Sequence, residues 1–268
     1  MPTVIVDLSY LKASRGDAVR SALHGYTVLI SFELIYEMKT NSRGDDPRMY
    51  LDKLVGLELV HSRSLSGLAN EEERTSHRVE NVLHPQSKQL VDVFVNRQRI
   101  SIAPDVEQEL RDFYEKDEPQ RLRDGLDGMW DAKHDDIFAI TRQTGKPSQI
   151  ATEAQQYLEL YEALGVTGIG KVIAEKRGMT QPPAPGWLTY EWERLRNFLA
   201  FRFRLNGARS HDLSDKTLAN DLADLTYLAF LPHVQAIATH DTTLVVPLAQ
   251  AFGPANLTII QPCQKSIC

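Results

Sequence analysis

Six acidic residues in this chain stand where metal chemistry can be done. Asp7 follows the apolar run Val4-Ile5-Val6, Glu33 and Glu37 follow Thr27-Val28-Leu29-Ile30 and Ser31, and Asp241 follows Ala236-Ile237-Ala238-Thr239-His240. Asp221 and Asp224 lie three residues apart on the segment Leu218 to Leu231. In an open parallel sheet the carboxyl ends of neighbouring strands converge on one crevice, so acids from opposite ends of a sequence can meet in space. Carboxylates that meet need a cation between them. Mg²⁺ or Mn²⁺ is the ordinary partner for aspartates, glutamates and water, and the usual substrate of such a site is a phosphate ester.

Each acid also has a purely structural reading. Asp7 and Asp241 both follow a strand and precede a helical run, which is where an N-cap aspartate belongs. Ser31 already supplies the cap of the second unit, so Glu33 suits the first-turn dipole and reads as structural. Glu37, a turn later among Ile35, Tyr36 and Met38, is costly to bury unless paired or coordinated; a solvated edge is its alternative. Asp221 and Asp224 share one face beside the apolar stripe Leu218, Leu222, Leu225, Leu228. Like charges in that relation ask for a cation, although a solvated flank tolerates them.

The elements that must position these acids are short strands at both ends of the chain. Residues 3–6 and 27–30 read as strands, Leu57–Ser66 holds a third, 236–240 a fourth and Leu257–Ile260 a last. Helices are expected over Leu8–Leu23, interrupted near Arg15-Gly16-Asp17, from Ser31 onward, and over Leu188–Leu205, Asp215–Leu231 and Leu244–Phe252. From about Glu71 to Trp187 the pattern is helical and polar, broken at Pro85, Pro104, Pro119, Pro147 and Gln181–Gly186. The expected architecture is one α/β domain: a core of 1–66 and 188–262 around a central parallel sheet flanked by helices, with a helical insertion over about 67–187.

Composition agrees with a globular chain. The 268 residues are 42% hydrophobic and 25% charged, with no apolar run near the roughly 20 residues of a membrane span. The chain passes from Met-Pro-Thr directly into Val-Ile-Val-Asp without an export signal, so a cytoplasmic location is expected. Cys263 and Cys268 give neither a disulfide framework nor a four-ligand zinc site and read as reduced tail thiols. A net charge of −6 speaks weakly against nucleic acid, because acids crowded at one metal site are locally inverted by the cation.

Four segments together, Val4-Ile-Val-Asp7-Leu-Ser9, Leu29-Ile-Ser31-Phe-Glu-Leu-Ile-Tyr-Glu37, Asp221-Leu-Ala-Asp224-Leu-Thr-Tyr-Leu and Ile237-Ala-Thr239-His-Asp241, resemble in order the four motifs of PIN-domain nucleases. The resemblance covers residues 1 to about 60 and 210 to 260 and leaves the middle outside it. It implies a PIN-like three-layer fold and metal-binding acids Asp7, Glu37, Asp224 and Asp241, with Asp221 an extra or alternative acid and Ser9 and Thr239 as supporting hydroxyls. The implied activity is Mg²⁺- or Mn²⁺-dependent hydrolysis of a phosphodiester, an endoribonuclease on RNA first and single-stranded DNA second. It admits an inhibitor or antitoxin protein and a homo-oligomer as partners. Because compact toxin members lack the insertion, their substrate is not carried over.

Arg194, Arg202 and Arg209, interleaved with Trp192, Phe198 and Phe201, suggest a surface for phosphates and bases. Their alternative is an amphipathic helix whose aromatics are core and whose arginines are solvated. His134-Asp135-Asp136 is a weaker metal candidate, since no strand precedes it. Two other classes compete with the nuclease. A non-catalytic scaffold would bind RNA or a protein through the insertion. An aspartyl-phosphate phosphatase also opens on strand-Asp, but its second Asp is here Ser9.

Overall fold

The apolar runs at the two ends of the chain pair with one another. The computed structural model describes residues 1–40, 46–97, 102–131 and 150–262; His134-Asp135-Asp136 and both cysteines lie outside them. Five strands, β1 (Thr3–Val6), β2 (Thr27–Ile30), β3 (Glu58–His61), β4 (Ala236–Ala238) and β5 (Thr258–Ile260), form one sheet in the order β3-β2-β1-β4-β5. All four pairings are parallel. β1 and β4 are completely buried apart from the half-buried Thr3, which explains why they read as continuous apolar runs without alternation.

The strand order contains the fact that matters for function. The chain steps outward from β1 through β2 to β3, then returns past β1 to lay down β4 and β5 on the other side. Between β1 and β4 the direction of winding therefore reverses. A crevice opens at the carboxyl ends of strands where that happens, because the connections on either side lead away in opposite directions. The register Val4↔Ala236, Ile5↔Ile237, Val6↔Ala238 sets the residues after each strand side by side, and the Asp7 amide donates to the Ala238 carbonyl at 3.0 Å.

Between β3 and β4 the described residues form helices and helical turns. Pro104 occupies the first turn of the Pro104–Asp112 helix, where its missing N–H costs nothing. Pro119, expected to break a helix, instead sits at the start of Glu118–Asp131, directly after a π-helical turn over Phe113–Asp117. The Ile150–Leu164 and Val166–Arg177 helices follow, and Leu188–Leu205 leads back to the sheet. This segment shares the buried cluster of the sheet: Leu122, Leu126 and Tyr157 belong to the same apolar core as Val4 and Ile237.

Buried carboxylates fasten these helices end to end. Glu33 Oε1 accepts the Leu65 amide at 2.6 Å, at the start of the Leu65–Thr75 helix. Glu72 of that helix then accepts the Leu188 and Thr189 amides at 3.2 and 2.8 Å, at the start of Leu188–Leu205. A negative side chain at unsatisfied N-terminal amides answers both the orphan donors and the helix dipole. Glu33 thus has a structural role, as expected, but it serves the distant Leu65–Thr75 helix as well as its own.

Candidate metal centre

Asp7 is fixed before any ligand arrives. It directly follows β1, is 5% exposed, and caps the short Leu8–Ala13 helix by accepting the Ser9 amide at 2.6 Å on Oδ1. Its Oδ2 accepts the hydroxyls of Ser9 at 2.7 Å and Thr239 at 2.5 Å. The two readings of Asp7 are therefore compatible. A carboxylate offers about four acceptor positions and three are taken, leaving one for a cation.

Thr239 and Asp241 arrive on the neighbouring strand. Thr239 is fully buried, and its Oγ1 accepts the Asp241 amide at 3.1 Å while its hydroxyl donates to Asp7. Ser9 Oγ accepts the His240 amide at 3.0 Å, closing the ring. Asp241 Oδ1 receives the Thr243 amide, the Thr243 hydroxyl and the Leu244 amide at 2.8, 2.7 and 2.9 Å, which fixes the turn into the Val245–Phe252 helix. Ser9 and Thr239 thus act on the acids rather than at the front of the site.

Glu37 and Asp224 come from two further helices, Phe32–Thr40 and Asp215–Ala229. Glu37, one turn above Glu33 on the Phe32–Thr40 helix, accepts the Tyr227 hydroxyl at 2.6 Å on Oε2. Tyr227 was not singled out in the sequence, although its position three residues after Asp224 puts it on the same helix face. Burial pushes the Asp224 carboxyl up to about 8, with Glu37, Asp7, Asp241 and Asp221 adding in that order. Burial also raises Asp7, against the hydrogen bonds from Thr239 and Ser9, and raises Asp221, where Arg202 opposes it.

Four other acids, Glu37, Asp7, Asp241 and Asp221, act electrostatically on Asp224. Among the described residues, no three histidine, cysteine, aspartate or glutamate side chains converge as a ready-made metal-binding group. The donor set still suits a hard cation: Asp7, Glu37, Asp224 and Asp241 offer only oxygen, and their mutual repulsion is relieved by positive charge. Asp221 is last among the acids that act on Asp224.

The pH dependence follows with a definite sign. Asp224 at about 8 and Glu33 at about 7 hold protons in the folded state that the unfolded chain gives up near 4, so their stabilisation fades as pH rises toward 8. Burial lowers His61 and His233 to about 4, so their contribution is lost instead as pH falls from about 6.5 toward 4. Between pH 6.5 and 8 the two carboxyls set the sign. Metal-free protein should therefore melt lower at pH 8 than at pH 6.5, and Asp224→Asn should raise the pH 8 midpoint by about 2–6 °C. An unchanged or lowered midpoint in that variant would contradict the repulsion argument.

The arginines fare unequally. Arg194 is half-buried, pairs with Glu191 at 2.6 Å, donates to the Phe252 carbonyl at 3.0 Å and lies 4.9 Å from the Phe252 ring centroid. Trp192, Phe198 and Phe201 are buried, as the core alternative has it, but the arginines are not solvated: Arg196 and Arg204 are buried with them, and Arg194 is held by Glu191 and Phe252. Arg202 bonds Glu153 at 3.1 Å and acts on Asp221, beside the acids. Arg209 is exposed at the turn before Ser210–Asp212. No helix among the described residues is long and apolar enough to cross a membrane. The chain matches no family model, no curated protein and no solved structure.

Proposed function

We propose that this protein is a Mg²⁺- or Mn²⁺-dependent nuclease with a PIN-like core, hydrolysing phosphodiester bonds in RNA. The observation that supports the reading most is the β1–β4 pairing, which sets Asp7 beside Thr239 and Asp241 at the reversal of the sheet, with Glu37 and Asp224 acting on the same spot. A divalent ion held by Asp7, Glu37, Asp224 and Asp241 would supply Lewis-acid stabilisation of the charge developing on the phosphate and leaving oxygen. The chain's own part is positional. Ser9 and Thr239 hold the Asp7 carboxylate, the amides of Thr243 and Leu244 hold Asp241, and Tyr227 holds Glu37. Burial of Asp7 and Thr239 keeps water away from the rear of the site. Because water is the attacking group in such hydrolysis, no side-chain nucleophile is needed.

The test is cleavage by purified protein with Mn²⁺ of single-stranded RNA, single-stranded DNA and a small phosphomonoester. RNA hydrolysis that stops with EDTA is the expected result. Intact RNA that is nevertheless bound would support the scaffold instead, and turnover of the monoester alone would support the phosphatase.

A further inference from the structure

The hydrogen bonds around the acids leave little of each carboxylate to share. Asp7 Oδ2 has both acceptor positions filled, by the Ser9 and Thr239 hydroxyls, and its Oδ1 already takes the Ser9 amide. Asp241 Oδ1 takes three donors, the Thr243 amide and hydroxyl and the Leu244 amide. Glu37 Oε2 takes the Tyr227 hydroxyl at 2.6 Å. Each of these three acids therefore has one oxygen committed to the protein. Asp224 differs, since the influences on it are burial and the other acids, with no hydrogen bond among them.

Tyr227 stands apart among these donors. Ser9 and Thr239 also accept the His240 and Asp241 amides, so they shape the loops after both strands. The Tyr227 side chain is 2% exposed and its hydroxyl donates to Glu37. After burial itself, Glu37, Asp7 and Asp224 are the groups that act on that hydroxyl, which puts it beside three of the acids. Three residues on from Asp224, it ties Glu37 to the helix face that carries Asp224. Without this bond Glu37 has room to turn: it and Tyr227 line a cavity of about 420 Å³ between the Phe32–Thr40 and Asp215–Ala229 helices. A fixed donor at Oε2 keeps both Glu37 oxygens from swinging onto one ion.

Small octahedral ions such as Mg²⁺ and Mn²⁺ are held by few carboxylate oxygens and keep part of their water, whereas Ca²⁺ takes about six to eight oxygens and readily grips a carboxylate by both. We infer that Tyr227 is a positioning residue that selects the cation: by keeping Glu37 from binding through both oxygens it fits the centre to a small octahedral ion and sets it against Ca²⁺; this rests on the nuclease reading. The competing account is that Tyr227 is a core residue whose hydroxyl has met the nearest acceptor. In that account loss of the hydroxyl loosens the site for every cation alike. The selective role instead changes the ratio between two ions.

Binding is tested apart from cleavage. Mn²⁺ is loaded onto the purified chain and displaced by Ca²⁺, and the released ion is followed by its aqueous EPR signal. The native chain should favour Mn²⁺, and Tyr227→Phe, which keeps the buried ring, should lower the Mn²⁺-to-Ca²⁺ affinity ratio at least about tenfold, the scale of a lost outer-shell contact. Tyr114→Phe is the control: it removes a buried hydroxyl that has no hydrogen-bond partner among the described residues, from a side chain in the same cavity lining, and should leave the ratio unchanged. Should Tyr227→Phe not fold, Ser9→Ala serves instead, since it frees an acceptor position on Asp7 Oδ2 and should move the ratio the same way. An unchanged ratio in Tyr227→Phe, an equal fall in Tyr114→Phe, Ca²⁺ bound by the native chain as tightly as Mn²⁺, or no Mn²⁺ bound at all would each overturn the selective role. RNA cleavage with an unchanged ratio would remove that role and keep the nuclease. The expected ratios without any RNA cleavage would uphold the role and remove the nuclease reading.

Discussion

Asp7→Asn and Asp241→Asn are each expected to lower Mn²⁺-dependent RNA cleavage at least about a hundredfold, with circular dichroism and the thermal midpoint little changed. Loss of residues that merely orient metal ligands already costs about 10–100-fold, and these two would be ligands themselves. The fold survives for a reason visible in the hydrogen bonds. Asparagine at position 7 keeps the Ser9 amide bond with its carbonyl oxygen, and its amide nitrogen then faces the Ser9 and Thr239 hydroxyls, which rotate to accept. The negative charge is lost, and the two hydroxyls exchange donation for acceptance. Thr239→Val, which removes one donor to Asp7 and the acceptor of the Asp241 amide but leaves both acids, should cost less, about tenfold. Cleavage that persists in both asparagine variants would end the hydrolase reading.

Glu118→Ala is expected to destabilise the protein by about 3–5 kcal/mol in urea denaturation, the cost of breaking a buried charge network by removing one member. Glu118 is completely buried; its Oε2 accepts Trp192 Nε1 at 2.8 Å and Arg196 Nη1 at 2.9 Å, and its Oε1 accepts Arg121 Nη1 at 2.5 Å. Arg196 and Arg177 both pair with Glu193, and Arg177 also reaches Glu73 at 2.7 Å. Truncation leaves the Trp192 indole N–H without its acceptor and removes one carboxylate from the buried Arg196. Glu118→Gln keeps the shape and one acceptor and should cost clearly less. A loss below about 1 kcal/mol for Glu118→Ala would show that the network contributes no more than an exposed pair.

Where sequence reading and structure part company, the cause is long-range contact. Arg194 carries the same charge and the same aromatic neighbours as a nucleic-acid-binding arginine. The position of Phe252, 58 residues away, together with Glu191 on its own helix, turns it into a packing residue. Glu33 and Glu37 stand one turn apart on one helix, yet Leu65 takes the first and Tyr227 the second. Local pattern contains neither partner, since the separations are 32 and 190 residues.

By itself the sequence determined the strands. β1 and β2 have the limits expected from their apolar runs, and the parallel α/β class follows from strands that alternate with helices, because a buried strand must be apolar on both faces. It also placed an acid or hydroxyl after three of those strands. What only the tertiary structure decided is which of these groups meet. The reversal of winding between β1 and β4 brings residue 7 beside residue 239, and burial of Asp224 among four other acids raises its pKa to about 8. Desolvation and Coulomb repulsion depend on distance in space, which a linear order of residues does not contain.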